Sequence, residues 1–126
     1  MKNIYWRYED LKTPPNIYLT DGNLSSFVLL SNIEPAFQQF SQCIMKIFET
    51  PISYWDGSIK MAKTTVLLPP DYNKDSPPPA IVLVYPGSLV SRNVKKFNGG
   101  DDACIDIFLF LKQGYAMIYP DVPLSP

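Results

Sequence analysis

Residues 77–88 read Pro77-Pro78-Pro79-Ala80-Ile81-Val82-Leu83-Val84-Tyr85-Pro86-Gly87-Ser88. Three prolines stiffen the lead-in, aliphatic residues follow without a polar interruption, and Tyr-Pro-Gly-Ser stops the run. A continuous apolar, β-branched run between turn signals predicts a strand over residues 80–85 that is buried on both faces. Such strands lie in the middle of α/β sheets, and ligands bind just beyond their carboxyl ends. Residues 85–88 are therefore where a functional site is expected.

Composition narrows the function of that site. The chain has 126 residues, enough to bury a core. Its 11 basic and 12 acidic residues leave a net charge of −1. There is no basic footprint for nucleic acid and no polybasic patch for a membrane surface, so neither partner is expected. The apolar runs are far shorter than the ~20 residues a membrane-spanning helix needs. The sequence contains no histidine, which removes the commonest general base and the commonest metal ligand. Cys43 and Cys104 have no metal-ligand spacing, and no cofactor is expected. Both lie in apolar runs and read as buried free thiols, with a disulfide between them left open. Residues 1–12 lack the apolar core of a signal peptide, which points to the cytoplasm if Met1 is the natural start.

Along the chain, residues 3–8 form a short aromatic stretch that overlaps a charged patch of Arg7, Glu9, Asp10 and Lys12. Asn16-Ile17-Tyr18-Leu19-Thr20, the turn Asp21-Gly22-Asn23 and a returning run over 26–31 predict a β-hairpin. The segment 32–40, broken at Glu34-Pro35, is expected to cross between layers. Residues 43–49 and 59–68 read as an antiparallel pair with a turn at Asp56-Gly57-Ser58. A polar, proline-rich loop over 69–79 leads into the run at 80–85. A helix is predicted over 101–112: Asp101-Asp102 supply acceptors and negative charge at its start, and Gly114 suits the left-handed C′ position. Cys104, Ile107, Phe108 and Leu111 form one apolar stripe, and Ile105 and Leu109 a second, so this helix is expected to be sandwiched. Tyr115-Ala116-Met117-Ile118-Tyr119 closes a βαβ unit with parallel strands.

This order, carried by Leu67-Leu68-Pro69-Pro70-Asp71-Tyr72, Ile81-Val82-Leu83-Val84-Tyr85-Pro86-Gly87 and Lys112-Gln113-Gly114-Tyr115-Ala116-Met117-Ile118-Tyr119-Pro120-Asp121, resembles the start of the α/β-hydrolase domain in the prolyl oligopeptidase family of serine peptidases. Asp56-Gly57 within a strand pair adds to the likeness. Pro14-Pro15-Asn16-Ile17-Tyr18-Leu19 is similar to the end of the β-propeller that precedes that domain. The resemblance implies an α/β fold: a partial α/β-hydrolase, built as an antiparallel strand pair followed by a βαβ unit, after a hairpin like a propeller-blade end. Residues 1–33 would be the propeller end and 34–126 the N-terminal part of the peptidase domain. It further implies that Tyr85 donates its hydroxyl to an oxyanion hole, and that the partners are a peptide substrate and the rest of the hydrolase domain and propeller.

The catalytic machinery of that family is incomplete here. A Gly-x-Ser-x-Gly elbow followed by an acid and a histidine is required, and the chain has neither the elbow nor any histidine. On this reading the chain ends at Pro126, before those parts, and is inactive alone. Pro86 also departs from the family's Tyr-Gly-Gly-Pro pattern and removes one backbone donor from the loop. Ser88 and Ser91 read as turn residues without a base, Asp121 as a turn residue, and Arg92, Lys95 and Lys96 as a solvated loop face. The alternative is a non-catalytic α+β module for binding or assembly, and an esterase parent is compatible with the same fold.

Overall fold

The structure, a computed structural model, describes residues 3–33, 42–99, 105–122 and 124. Its strands fall into two sheets. The first is an antiparallel sheet of β1 (Ile4–Tyr8), β2 (Asn16–Thr20) and β3 (Phe27–Leu29), in that order. The expected hairpin is present, with Tyr18 opposite Leu29 and Thr20 opposite Phe27. Its turn is held by Asp21, which accepts from the Asn23 and Ser25 amides and the Ser25 hydroxyl. Those bonds hold the Asp21 carboxyl below the usual carboxylate range. β1 was not foreseen as a strand. All five of its residues are exposed, so it lacks the alternation that marks a half-buried strand, and it is defined by pairing with β2 from Ile4–Thr20 to Tyr8–Asn16.

The second sheet is mixed, in the order β4 (Ile44–Ser53), β5 (Ile59–Leu68), β7 (Ala116–Pro120), β6 (Ala80–Val82). β4 and β5 pair antiparallel over their whole length, as expected, turning at 54–58 where the Tyr54 amide donates to the Ser58 carbonyl. β4 runs further than the residues suggested and carries Pro51 within it. That is tolerable because β4 is the edge strand of this sheet among the described residues. β6 and β7 are parallel, with Ile81 opposite Met117, and the ladder continues through the Leu83 amide to the Ile118 carbonyl at 2.9 Å.

The order of the sheet overturns the leading expectation from the sequence. The run at 80–85 is not a central strand buried on both faces. Regular pairing covers only Ala80–Val82, at the edge; Ile81 and Leu83 pack on the core while Val82 and Val84 are more than half exposed, at 53% and 54%. The central strand is β7, which pairs with β5 on one side and β6 on the other and buries Ala116, Met117 and Tyr119. Both runs are apolar. What separates them is the number of neighbours, which periodicity does not report.

The helix also differs from its prediction. α1 is Ile107–Lys112, beginning six residues later than expected; Asp101, Asp102 and Cys104 lie outside the described residues, as do residues 34–40 of the segment over 32–40 expected to cross between layers. Asp106 is the N-cap, in an extended conformation, and its carboxylate accepts from the Leu109 amide at 3.1 Å. The Asn98 side-chain oxygen accepts from the Phe108 amide at 3.1 Å, so two first-turn amides are satisfied from outside the helix. The other end follows the sequence: Gly114 sits at φ +82° and donates to the Leu111 carbonyl. Only one face of α1 is covered. Ile107, Phe108 and Leu111 are buried whereas Leu109 is half exposed, so α1 lies on the sheet and is not sandwiched among the described residues.

Ile107, Phe108 and Leu111 join Leu67, Met117, Tyr119, Val94, Leu11 and Cys43 in one core. Leu11 comes from the turn between β1 and β2, so that turn is anchored on the core. Cys43 is a buried free thiol, and burial pushes its pKa up. Burial also raises the Tyr119 phenol well above its ordinary value, and its hydroxyl makes no hydrogen bond among the described residues.

Candidate functional site

The parallel pair β6–β7 aims its carboxyl ends at one corner of the sheet, and the segments that follow both strands are tied together there. After β6, the Ser88 amide donates to the Tyr85 carbonyl at 3.1 Å, closing a four-residue turn with Pro86 and Gly87 at its centre. Pro86 supplies the preset φ of the second position, and Gly87, at φ +80°, the left-handed third. These residue types define a type II turn. The Gly87 amide is spent on the Val122 carbonyl at 2.7 Å, in the segment after β7. A Cβ at position 87 would come within 2.7 Å of Leu124 Cδ1. Gly87→Ala should therefore destabilise the chain by about 1–2 kcal/mol, the cost of a left-handed non-glycine residue, with a further contribution if Leu124 fails to move aside. A urea midpoint lowered at constant m checks this.

A 3-10 helix, Val90–Lys95, continues the loop and buries Ser91 and Val94. Ser91 meets Asp121 in two buried hydrogen bonds: its amide donates to Asp121 Oδ1 at 2.8 Å and its hydroxyl to Asp121 Oδ2 at 2.7 Å. The Thr65 hydroxyl donates to the Ser91 carbonyl at 3.3 Å, and the Asp121 amide donates to the Lys63 carbonyl at 2.8 Å. Thus β5, the post-β6 loop and the post-β7 segment are locked by one polar network inside an otherwise apolar corner.

The candidate residues sort accordingly. Tyr85 stands 68% exposed at the rim of this corner, and its phenol makes no hydrogen bond among the described residues. Of the two serines in the loop, Ser91 is buried with its hydroxyl donating to a carboxylate, and Ser88 contributes the amide that closes the turn. Asp121 is more than the turn residue its sequence suggests. The only local hint was an acid set between two prolines directly after an apolar strand; its partner lies 30 positions away. Arg92, Lys95 and Lys96 are exposed, as expected. Asp101 and Asp102 lie outside the described residues. Among the described residues no cluster of His, Cys, Asp or Glu could hold a metal, and no helix is long and apolar enough to cross a membrane.

No protein-family model matches the chain, and comparison with curated proteins finds no relative. Solved structures do match. The AtxE2 isopeptidase, determined with Astexin3-dC4 bound, superposes with a TM-score of 0.57 at 17% identity over 98% of this chain. A protein described as a dipeptidyl aminopeptidase IV, from Bacteroides ovatus, gives a TM-score of 0.54 at 19% identity over 96% of the chain. In each case the chain spans 18% of the other protein's length. Its mixed sheet and few helices have the fold of a segment found within these two larger peptidase structures.

Proposed function

We propose that the chain forms part of a serine-type peptidase of the prolyl oligopeptidase kind, which in its complete form cleaves peptide bonds through an acyl-enzyme. Residues 1–33 are the end of a β-propeller and residues 34–126 the first part of the α/β-hydrolase domain. The observation that carries this reading is the near-complete coverage of the chain by two peptidase structures of which it matches less than a fifth. The exposed apolar faces agree with it. Val82 and Val84 beside the β6 edge, and Phe27, Val28, Leu29 and Leu30 around β3, are surfaces that the remaining sheet and propeller would cover.

In this function Tyr85 is an oxyanion donor. In α/β-hydrolases part of the oxyanion hole comes from the loop after the third strand of the sheet, and β6 is third in chain order in this sheet. Here that loop has no backbone amide to give at its tip: Pro86 has none, and those of Gly87 and Ser88 are spent on Val122 and Tyr85. The Tyr85 phenol, exposed and unpaired among the described residues, is the donor left. A donor aimed at charge that develops only near the transition state lowers the barrier by about 3 kcal/mol.

A fluorophosphonate probe should leave the purified 126-residue chain unlabelled, because it holds neither elbow nor histidine. An expressed frame continuing into a Gly-x-Ser-x-Gly elbow and a later histidine should be labelled. In that protein Tyr85→Phe should lower kcat by ~10²–10³ with little change in KM. Labelling of the chain alone, or an unchanged kcat, would refute the assignment.

A further inference from the structure

Beside the Ser91–Asp121 network lies a cavity of about 320 Å³ between the β4–β5 surface and the 3-10 helix Val90–Lys95. Its size is at the lower end for small-molecule sites. The apolar lining comes from Ile47, Met61 and Leu89, and the charged rim from Lys63, Arg92 and Lys95, with Lys60 at its border. Asp121 also lines it, buried, with each carboxylate oxygen accepting one hydrogen bond from Ser91. Lys63 lies 3.6 Å from Glu49, and Lys60 sits over the Tyr54 ring. Arg92 and Lys95 have no side-chain partner among the described residues. A 3-10 helix has three residues per turn, so positions 92 and 95 eclipse one another and carry both cations on one line beside the cavity.

We propose that this cavity binds a carboxylate carried on a short branched aliphatic group, of the kind found at the C-terminus of a peptide ending in an aliphatic residue. The Arg92 fork pairs with the two carboxylate oxygens, Lys95 adds a second positive charge, and the aliphatic part lies on Ile47, Met61 and Leu89. Tyr85 is not among the lining residues, so this site is separate from the proposed oxyanion donor.

The test titrates the 126-residue chain, followed by amide and arginine side-chain NMR shifts, with N-acetyl-leucine, 4-methylpentanoate, N-acetyl-leucinamide and inorganic phosphate. N-acetyl-leucine should bind saturably with a dissociation constant on the order of 1 mM, weakening as salt rises. The amide, which lacks the carboxylate, should not bind. The Arg92→Gln/Lys95→Gln double variant should bind at least ~10-fold more weakly, the loss of a charge-assisted pair. Both side chains are exposed, so its circular dichroism should match the parent, and Tyr85→Phe should leave binding unchanged. Tighter binding of N-acetyl-leucine than of 4-methylpentanoate identifies a peptide terminus as the source, and the reverse a free carboxylic acid. Absence of saturable shifts, equal binding of the amide, phosphate binding as tightly as either carboxylate, or an unaffected double variant would each overturn the proposal.

Discussion

Replacing Asp121 with alanine should destabilise the chain by about 3 kcal/mol, measured as a lowered urea midpoint at constant m. Two buried donors depend on this one carboxylate: the Ser91 amide and the Ser91 hydroxyl. Removing the acceptor strands both, and each unsatisfied buried donor costs about 1–3 kcal/mol. Asp121→Asn should be far milder, under about 1 kcal/mol, because its carbonyl can accept from the Ser91 amide while the Ser91 hydroxyl rotates to accept from the new amide group. Ser91→Ala should cost about 1 kcal/mol, since the backbone bond survives. The double-mutant cycle should return a coupling of about 0.5–3 kcal/mol. If Asp121→Ala fell within the ±0.5 kcal/mol typical of surface changes, the network would not be holding this corner. In the complete enzyme proposed above, the same variant should also disturb the Tyr85 loop, because Ser91 lies just beyond the turn that Tyr85 begins.

Met117→Ala should cost about 2–5 kcal/mol, while Val82→Ala should cost less than about 1 kcal/mol. The two residues sit in runs of similar apolarity. Met117 is fully buried at the centre of the sheet, with Leu67 opposite it on one side and Ile81 on the other. Its removal leaves a hole that β5, β6 and α1 together would have to close. Val82 is 53% exposed on an edge strand, so truncation there forfeits little burial. Thermal or urea unfolding of the two variants decides the matter; equal losses would mean that the outer face of β6 is covered. In the complete enzyme the proposed function predicts that equality, because the remaining domain would cover Val82.

Much of the local structure was legible from the residues. The hairpin around Asp21, the β4–β5 pair, the type II turn at Tyr85-Pro86-Gly87-Ser88 and the glycine stop at Gly114 each depend on a few neighbouring residues with narrow backbone preferences. The parallel pairing of β6 with β7 followed from a helix lying between two apolar runs. The start of α1 did not follow. The acidic pair Asp101-Asp102 suggested a start at Asp101, but the first-turn amides of Ile107–Lys112 are capped by Asp106 and by Asn98, which is contributed from across a loop. Nor did β1, whose fully exposed aromatic residues carry no periodic signal.

Residue order alone determined the chemistry this chain lacks. With no histidine and no nucleophile elbow, it holds no Ser-His-Asp set, and the turn at residues 85–88 marks the mouth of the parallel strands. Tertiary structure decided which apolar run became the centre of the sheet and which its edge. It also turned Asp121 from a residue after a strand into the clasp of the corner. Local preference is written into a chain's own neighbours, whereas strand order and buried polar pairs are set by which distant segments meet. Thr65, Ser91 and Asp121 meet only once β7 has settled between β5 and β6.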